Sequence, residues 1–167
     1  TLYVARFDAD GSGIWLPLVY DERGPLNRER GFTSQGDVVI KARAAPDIMG
    51  ATPMDRPEGI RPNPIDARVY ISCTKNPGRE DASRRVEWVG RTIDVATNAA
   101  NSRPDNKTGH IIELTEDDGD AAATHFRWDI FLFGGQPKTP GASPLACPDN
   151  LAFDPFGRLW VATDSDA

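Results

Sequence analysis

Between His125 and Phe133 the chain reads HFRWDIFLF, with apolar Phe126, Trp128, Ile130 and Leu132 separated by charged Arg127 and Asp129. A period of two sends successive side chains to opposite faces, so this stretch predicts a strand with one buried face and one wet face. Short runs of the same kind recur at RVYIS (68–72), VEWVGRTI (86–93), HIIELTE (110–116), LAFD (151–154) and RLWVATD (158–164). The opening TLYVARFDADGSGIWLPL predicts a hairpin. Tyr3, Ala5 and Phe7 share a face, the Asp/Gly cluster turns the chain, and Ile14 to Leu18 returns. After it comes a polar, proline-broken loop. Ser34 then offers an N-cap, with Asp37 three residues on near the positive end of a helix dipole. That predicts one short helix over about 35–45, ended by Pro46.

Short strands joined by turn signals such as NPIDA, EDDGD and DPFG read as an all-β sandwich, barrel or propeller. One internal similarity sharpens the choice. PEGIRPNPIDARVYISCTKN and PDNLAFDPFGRLWVATD share an outline of proline and acid, apolar residue, tight turn, second strand and polar end. Glu58 and Asp149 take matching places in the two copies. A lead acid followed by a hairpin is how propeller blades deliver ligands from strand ends to a central channel.

Composition narrows the function classes. The 14 prolines and 15 glycines are spread along all 167 residues, which favours many short elements in a single domain over long helices. A net charge of −6 supplies no electrostatic footprint for nucleic acid or an anionic membrane surface, so neither is expected as a partner. No apolar run approaches the roughly 18 to 20 residues of a membrane span. Cys73 and Cys147 lack metal-site spacing, and buried free thiols are expected ahead of a single bridge. The chain opens directly on a strand without an initiator methionine and stops just after another, which reads as a piece of a longer protein.

Most charged motifs have plain structural readings. DADGSG (8–13) resembles the start of a calcium loop, but the position eleven residues after its first Asp, where an EF-hand needs Glu, is Val19, and a hairpin turn is expected. EDDGD (116–120) reads as a solvated turn, and His110 and His125 as packed or hydrogen-bonding residues at strand starts. GATPMDRPEGI (50–60) is different. Pro53 and Pro57 bias the segment toward stiff, extended backbone, and the two-residue spacing of Arg56 and Glu58 aims both side chains to one side. That arrangement suits either a plain ion pair or a metal ligand beside an anion clamp, since guanidinium matches phosphate geometry bidentately.

GATPMDRPEGI, VYISCTKN, NSRPDNKTGHIIELTED, FRWDIFLFGG and CPDNLAFDPFGRLWVATD resemble, in that order, the PhoX-type bacterial alkaline phosphatases, over nearly the whole chain. The resemblance implies a β-propeller, here several antiparallel blades of an incomplete one, whose channel holds ferric and calcium ions and hydrolyses phosphate esters. It implies a periplasmic or secreted protein. By position it makes Glu58 a metal-ligating glutamate, Arg56 the arginine that holds the substrate phosphate, and Asp149 an acid near the calcium sites. Two departures stand out. Gly59 replaces a Trp common in the family, and Lys75 replaces an Asn in CTKN; both suggest altered substrate access, with Lys75 either contacting phosphate or solvated. The family's iron-binding cysteine has no counterpart in Cys73 or Cys147. Residues 1–167 are therefore expected to be inactive alone, to hold calcium only or no metal, and to self-associate through open sheet edges. The competing reading is a non-catalytic propeller module that binds calcium or phosphate.

Overall fold

The computed structural model describes residues 1–81, 84–88, 91–135 and 140–164, with the backbone alone for 86–88 and 91–93. The opening hairpin forms as expected from β1 (Leu2–Phe7) and β2 (Ser12–Leu18), turned by Asp8–Gly11. Two helices follow, α1 (Gln35–Ile40) and α2 (Ala44–Met49), where the sequence suggested one. Ser34 caps α1 as predicted, its hydroxyl accepting from the Asp37 N–H at 3.2 Å. Pro46 does not end a helix. It sits in the first turn of α2, where a missing N–H costs nothing because that turn has no intrahelical acceptor for it.

The remaining strands are β3 (Pro57–Pro62), β4 (Val69–Cys73), β5 (Arg85–Trp88), β6 (Arg91–Asp94), β7 (His110–Glu116), β8 (His125–Phe133), β9 (Pro148–Phe153) and β10 (Leu159–Thr163). The single strand expected over 86–93 is instead the antiparallel hairpin β5–β6, with residues 89 and 90 outside the described ones. The six-stranded antiparallel sheet runs β1-β2-β8-β7-β4-β3, and β9–β10 and β5–β6 form two-stranded sheets. Within the large sheet β3, β4, β7 and β8 are a meander in chain order, with β5–β6 as an excursion between β4 and β7.

Alternation decides which side chains enter which core. Phe126, Trp128 and Ile130 join Phe7, Ile71, Cys73, Ile112 and Leu114 on one face. The row Phe7, Gly13, Phe126 runs across β1, β2 and β8 with no side chain in the middle, so the outer rings meet edge to face at 5.2 Å. A Cβ on Gly13 would fall 2.1 Å from the Phe126 ring. Between Ile111 and Ile112 the register with β8 shifts, and Leu132 passes to the opposite face. There Tyr70 and Ile111 pack against Leu151, with Phe153, Leu159 and Val161 around them, so β9–β10 covers the second face of the meander. Burial on both faces explains why β7 carries two successive isoleucines, Ile111 and Ile112, rather than alternating. A third cluster, Leu18, Leu26, Phe32, Val38 and Ala45, seats the helices against the opening hairpin. Each fully buried side chain of this kind contributes about 1.5–3 kcal/mol.

Both halves of the internal repeat are antiparallel hairpins, β3–β4 and β9–β10, and Glu58 and Asp149 are each the second residue of the leading strand. Cys73 and Cys147 are buried free thiols, and burial pushes the Cys73 thiol up to about 12.

Candidate functional site

The segment between the two prolines is not extended throughout. Arg56 has a φ of +53°, and its N–H turns back to the Met54 carbonyl at 3.1 Å. The proline bias is overridden because partners from distant segments hold the backbone of the turn at several points. Thr74 N–H donates to the Arg56 carbonyl at 3.1 Å, and the Asp55 N–H donates to Asn101 Oδ1 at 2.7 Å. The Pro53 carbonyl accepts from Arg79 Nη2, Asn98 Nδ2 and Asn101 Nδ2, each at 3.1 Å.

Asp55 is the centre of this arrangement. Its side chain is fully buried, and Oδ1 accepts from Arg79 Nε at 2.8 Å and from Asn76 Nδ2 at 3.0 Å, with Arg79 Nη2 in ion-pair contact at 2.7 Å. Oδ2 accepts from Asn106 Nδ2 at 2.9 Å. Arg79 is itself only 2% exposed, and its Nη1 donates to the Ala96 carbonyl at 2.9 Å. A buried charge is tolerated when paired and hydrogen-bonded, and both members of this pair are.

On the outer side of the turn Arg56 faces solvent. Its Nε donates to Glu58 Oε1 at 2.7 Å, and Nη2 donates to Asp164 Oδ2 at 3.2 Å. The side chains of Arg56, Glu58 and Asp164 are 48%, 34% and 48% exposed. Glu58 beside the guanidinium pushes the Arg56 pKa further up. Arg56 and Glu58 meet as expected, but through a turn at positive φ rather than the extended backbone on which that expectation rested. Asp164, whose N–H is tied to the Cys147 carbonyl at 2.9 Å, is a third member that the sequence reading passed over. Its signal was present as the polar end of the second repeat copy.

The other two proposed positions lie apart. Asp149 is half-buried; its carbonyl accepts from the Ser72 hydroxyl, while its carboxylate meets only Asn150 Nδ2, at 3.4 Å, among the described residues. Lys75 follows Thr74 and forms no ion pair among the described residues. Gly59 is buried between strands, and a Cβ there would stand 2.6 Å from the Asp149 carbonyl oxygen, so its lack of a side chain lets β3 and β9 approach. A cleft of about 480 Å³ beside Asp10, Arg127 and Trp128 does not include Arg56.

The reading of His110 as a packed residue holds. It is 1% exposed and its Nδ1 faces Asn106 Nδ2 at 3.2 Å. Burial pushes its pKa below the ordinary 6.5, against the pull of Asp55 and the Ala100 carbonyl and with help from Arg103 and Arg79. Unfolding therefore takes up a proton on acidification, so the stability supplied by the neutral ring is complete above about pH 6.5 and is lost as pH falls below it. We expect urea midpoints to drop between pH 7 and pH 5, and His110→Gln to flatten that drop. An unchanged slope in the variant would contradict this assignment.

Matched against known families, residues 1–167 fit the one described as Alkaline phosphatase PhoX. The chain belongs to the PhoX family. Among solved structures it is similar to Pseudomonas fluorescens PhoX in complex with vanadate, a transition state analogue, at 37% identity and a TM-score of 0.84. That match covers 98% of this chain and 30% of the PhoX chain, so the sequence spans under a third of that relative's length. No curated protein matches. The strings that carried the PhoX resemblance converge in space. DRPE supplies Asp55, Arg56 and Glu58, CTKN supplies Asn76, NSRPDNKTGH supplies Asn101, Asn106 and His110, and ATD supplies Asp164.

The metal ions that the PhoX family implies can be tested against these donors. Glu58, Asp149 and Asp164 are hard oxygen donors of the type calcium takes, which needs six to eight oxygens. Among the described residues, however, no three His, Cys, Asp or Glu side chains converge as a metal site. These residues do not by themselves form such a centre. No helix among the described residues is long and apolar enough to cross a membrane.

Proposed function

We propose that this chain supplies the phosphate-binding wall of a metal-dependent phosphoric ester hydrolase. The observation that carries the reading is Arg56: an exposed guanidinium on a braced turn, flanked by Glu58 and Asp164 and using two of its five N–H groups on them. The remaining donors suit an equatorial phosphate oxygen, where a fixed cation stabilises charge that grows in the transition state. Glu58 and Asp164 orient the fork and keep it from folding onto its own backbone. Support comes from the PhoX family match and from the vanadate held by the solved relative, a transition-state analogue in that protein.

In the same reading the β3-β4-β7-β8 meander is one blade of a propeller, and β9–β10 begins the next, its leading strand against β3. Residues 1–167 form one domain, part of a larger propeller that is periplasmic or secreted. Ferric and calcium ions are held in the whole protein by carboxylates to which this chain adds Glu58 and Asp149, and Lys75 is an outer phosphate contact. Alone, the chain self-associates through its open sheet edges. The second reading is a phosphate- or calcium-binding propeller module without catalysis.

The test uses the full-length gene product and a simple phosphate monoester. Arg56→Ala is expected to lower kcat/KM by about 10²-fold or more, the usual cost of one preorganised donor to a developing oxyanion. Glu58→Ala is expected to lower activity together with bound metal, read by elemental analysis. Full activity in both variants overturns the assignment; metal and phosphate binding without turnover in the parent protein favours the module.

A further inference from the structure

Arg56 is one of the few residues other than glycine with a positive φ, at +53°. A non-glycine residue in that region is strained by about 1–3 kcal/mol and persists only where its surroundings over-determine it. The surroundings here are the buried group behind it. Arg79 grips Asp55 with two nitrogens and reaches past it to the Pro53 carbonyl, so one guanidinium holds both the side chain next to Arg56 and the backbone at the head of the turn. Asn101 does the same from another side, taking the Asp55 N–H and giving to the Pro53 carbonyl. Thr74 fixes the Arg56 carbonyl itself. Neither Arg79 nor Asp55 touches Glu58 or Asp164, and neither is exposed to a ligand.

We propose that the buried Asp55–Arg79 pair, braced by Asn101, is the positioning device for Arg56: it locks the turn at positive φ so that the guanidinium stands beside Glu58 and Asp164. The proposal rests on the reading of Arg56 as the phosphate-binding residue. A flexible turn in a relaxed conformation would let the side chain leave those two carboxylates. Phosphate binding would then have to reorder the turn each time.

Arg79→Lys keeps the charge opposite Asp55 but loses the planar fork that spans Asp55, Pro53 and Ala96. Asn101→Ser is a milder second variant. In the full-length gene product, inhibition by inorganic phosphate is measured in four proteins: parent, Arg79→Lys, Arg56→Ala and the double variant. Positioning through Arg56 predicts an inhibition constant about tenfold weaker for Arg79→Lys against the parent. It predicts less than twofold between the two Arg56→Ala proteins, with Asn101→Ser following the same pattern at smaller size. Equal changes in both backgrounds, or none in either, overturn the proposal, since a purely structural role does not depend on the Arg56 side chain. A second readout does not use phosphate. Arg56→Gly is expected to melt above Arg56→Ala, because glycine accepts positive φ, and this gap is expected to close in Arg79→Lys. A gap that persists there refutes the clamp. If Arg56→Ala leaves phosphate inhibition unchanged, the phosphate role of Arg56 falls, and the melting comparison still decides the clamp.

Discussion

Arg79→Met is expected to lower the unfolding free energy by about 3–5 kcal/mol, the cost of leaving a buried charge without its partner. The pair as a whole need not stabilise the protein, since desolvating two ions offsets most of their attraction. Removing one ion is different. Asp55 would keep only Asn76 and Asn106 as donors in a place that water does not reach, and the carbonyls of Pro53 and Ala96 would each lose a donor. Urea denaturation of the full-length protein measures the loss. The double variant Asp55→Leu Arg79→Met is expected to recover much of it, because it removes the stranded charge as well. A loss under about 1 kcal/mol in the single variant would mean that the pair is solvated.

Gly109→Ala is expected to cost about 3 kcal/mol or more, from two sources that add. Gly109 has a φ of +72°, unfavourable for any residue with a Cβ. It also lies where the end of β4, the start of β7 and the start of β9 meet. An added Cβ would stand 2.2 Å from the Thr74 carbonyl oxygen, 2.4 Å from that of Cys73 and 2.8 Å from Pro148 Cδ. Two of these are backbone atoms, which cannot rotate away. Gly31→Ala serves as the comparison, since Gly31 has a φ of +86° and nothing within 4 Å of its added Cβ; it should cost only about 1 kcal/mol. Similar losses in the two variants would show that conformation alone, not close packing, accounts for Gly109.

β8 was legible because most of it obeys a two-residue period, and β7, buried on both faces and not alternating, because it is a short apolar run bounded by turn residues, each a property of the segment by itself. The helix limits were not, because Pro46 can either end one helix or open the next, and tertiary packing of α2 decides. At the site, Arg56 and Glu58 meet as their nearness in sequence suggested, but the positive-φ turn that brings them together left no mark in the sequence. Asp164 joins them only because β9–β10 packs beside β3, a contact between segments 108 residues apart. Asp55 and Arg79 carried no local mark of burial. Both sit in short polar stretches near prolines, and only the chain returning through Asn101 and Asn106 encloses them. The departure at Gly59 was visible, but the nearness of another strand behind it was not.

The distances along the chain within the buried group also bear on how the protein folds. Asp55 waits for Asn101 and Asn106, 46 and 51 residues later, while Arg79 is 24 residues away. Closing a loop of about 50 residues costs on the order of 3–4 kcal/mol in chain entropy before its contacts form. The conformation of the turn that presents Arg56 is therefore held by partners from distant parts of the chain rather than by its own two prolines, and its stability is tied to that of the β4–β7 pairing that brings those partners back.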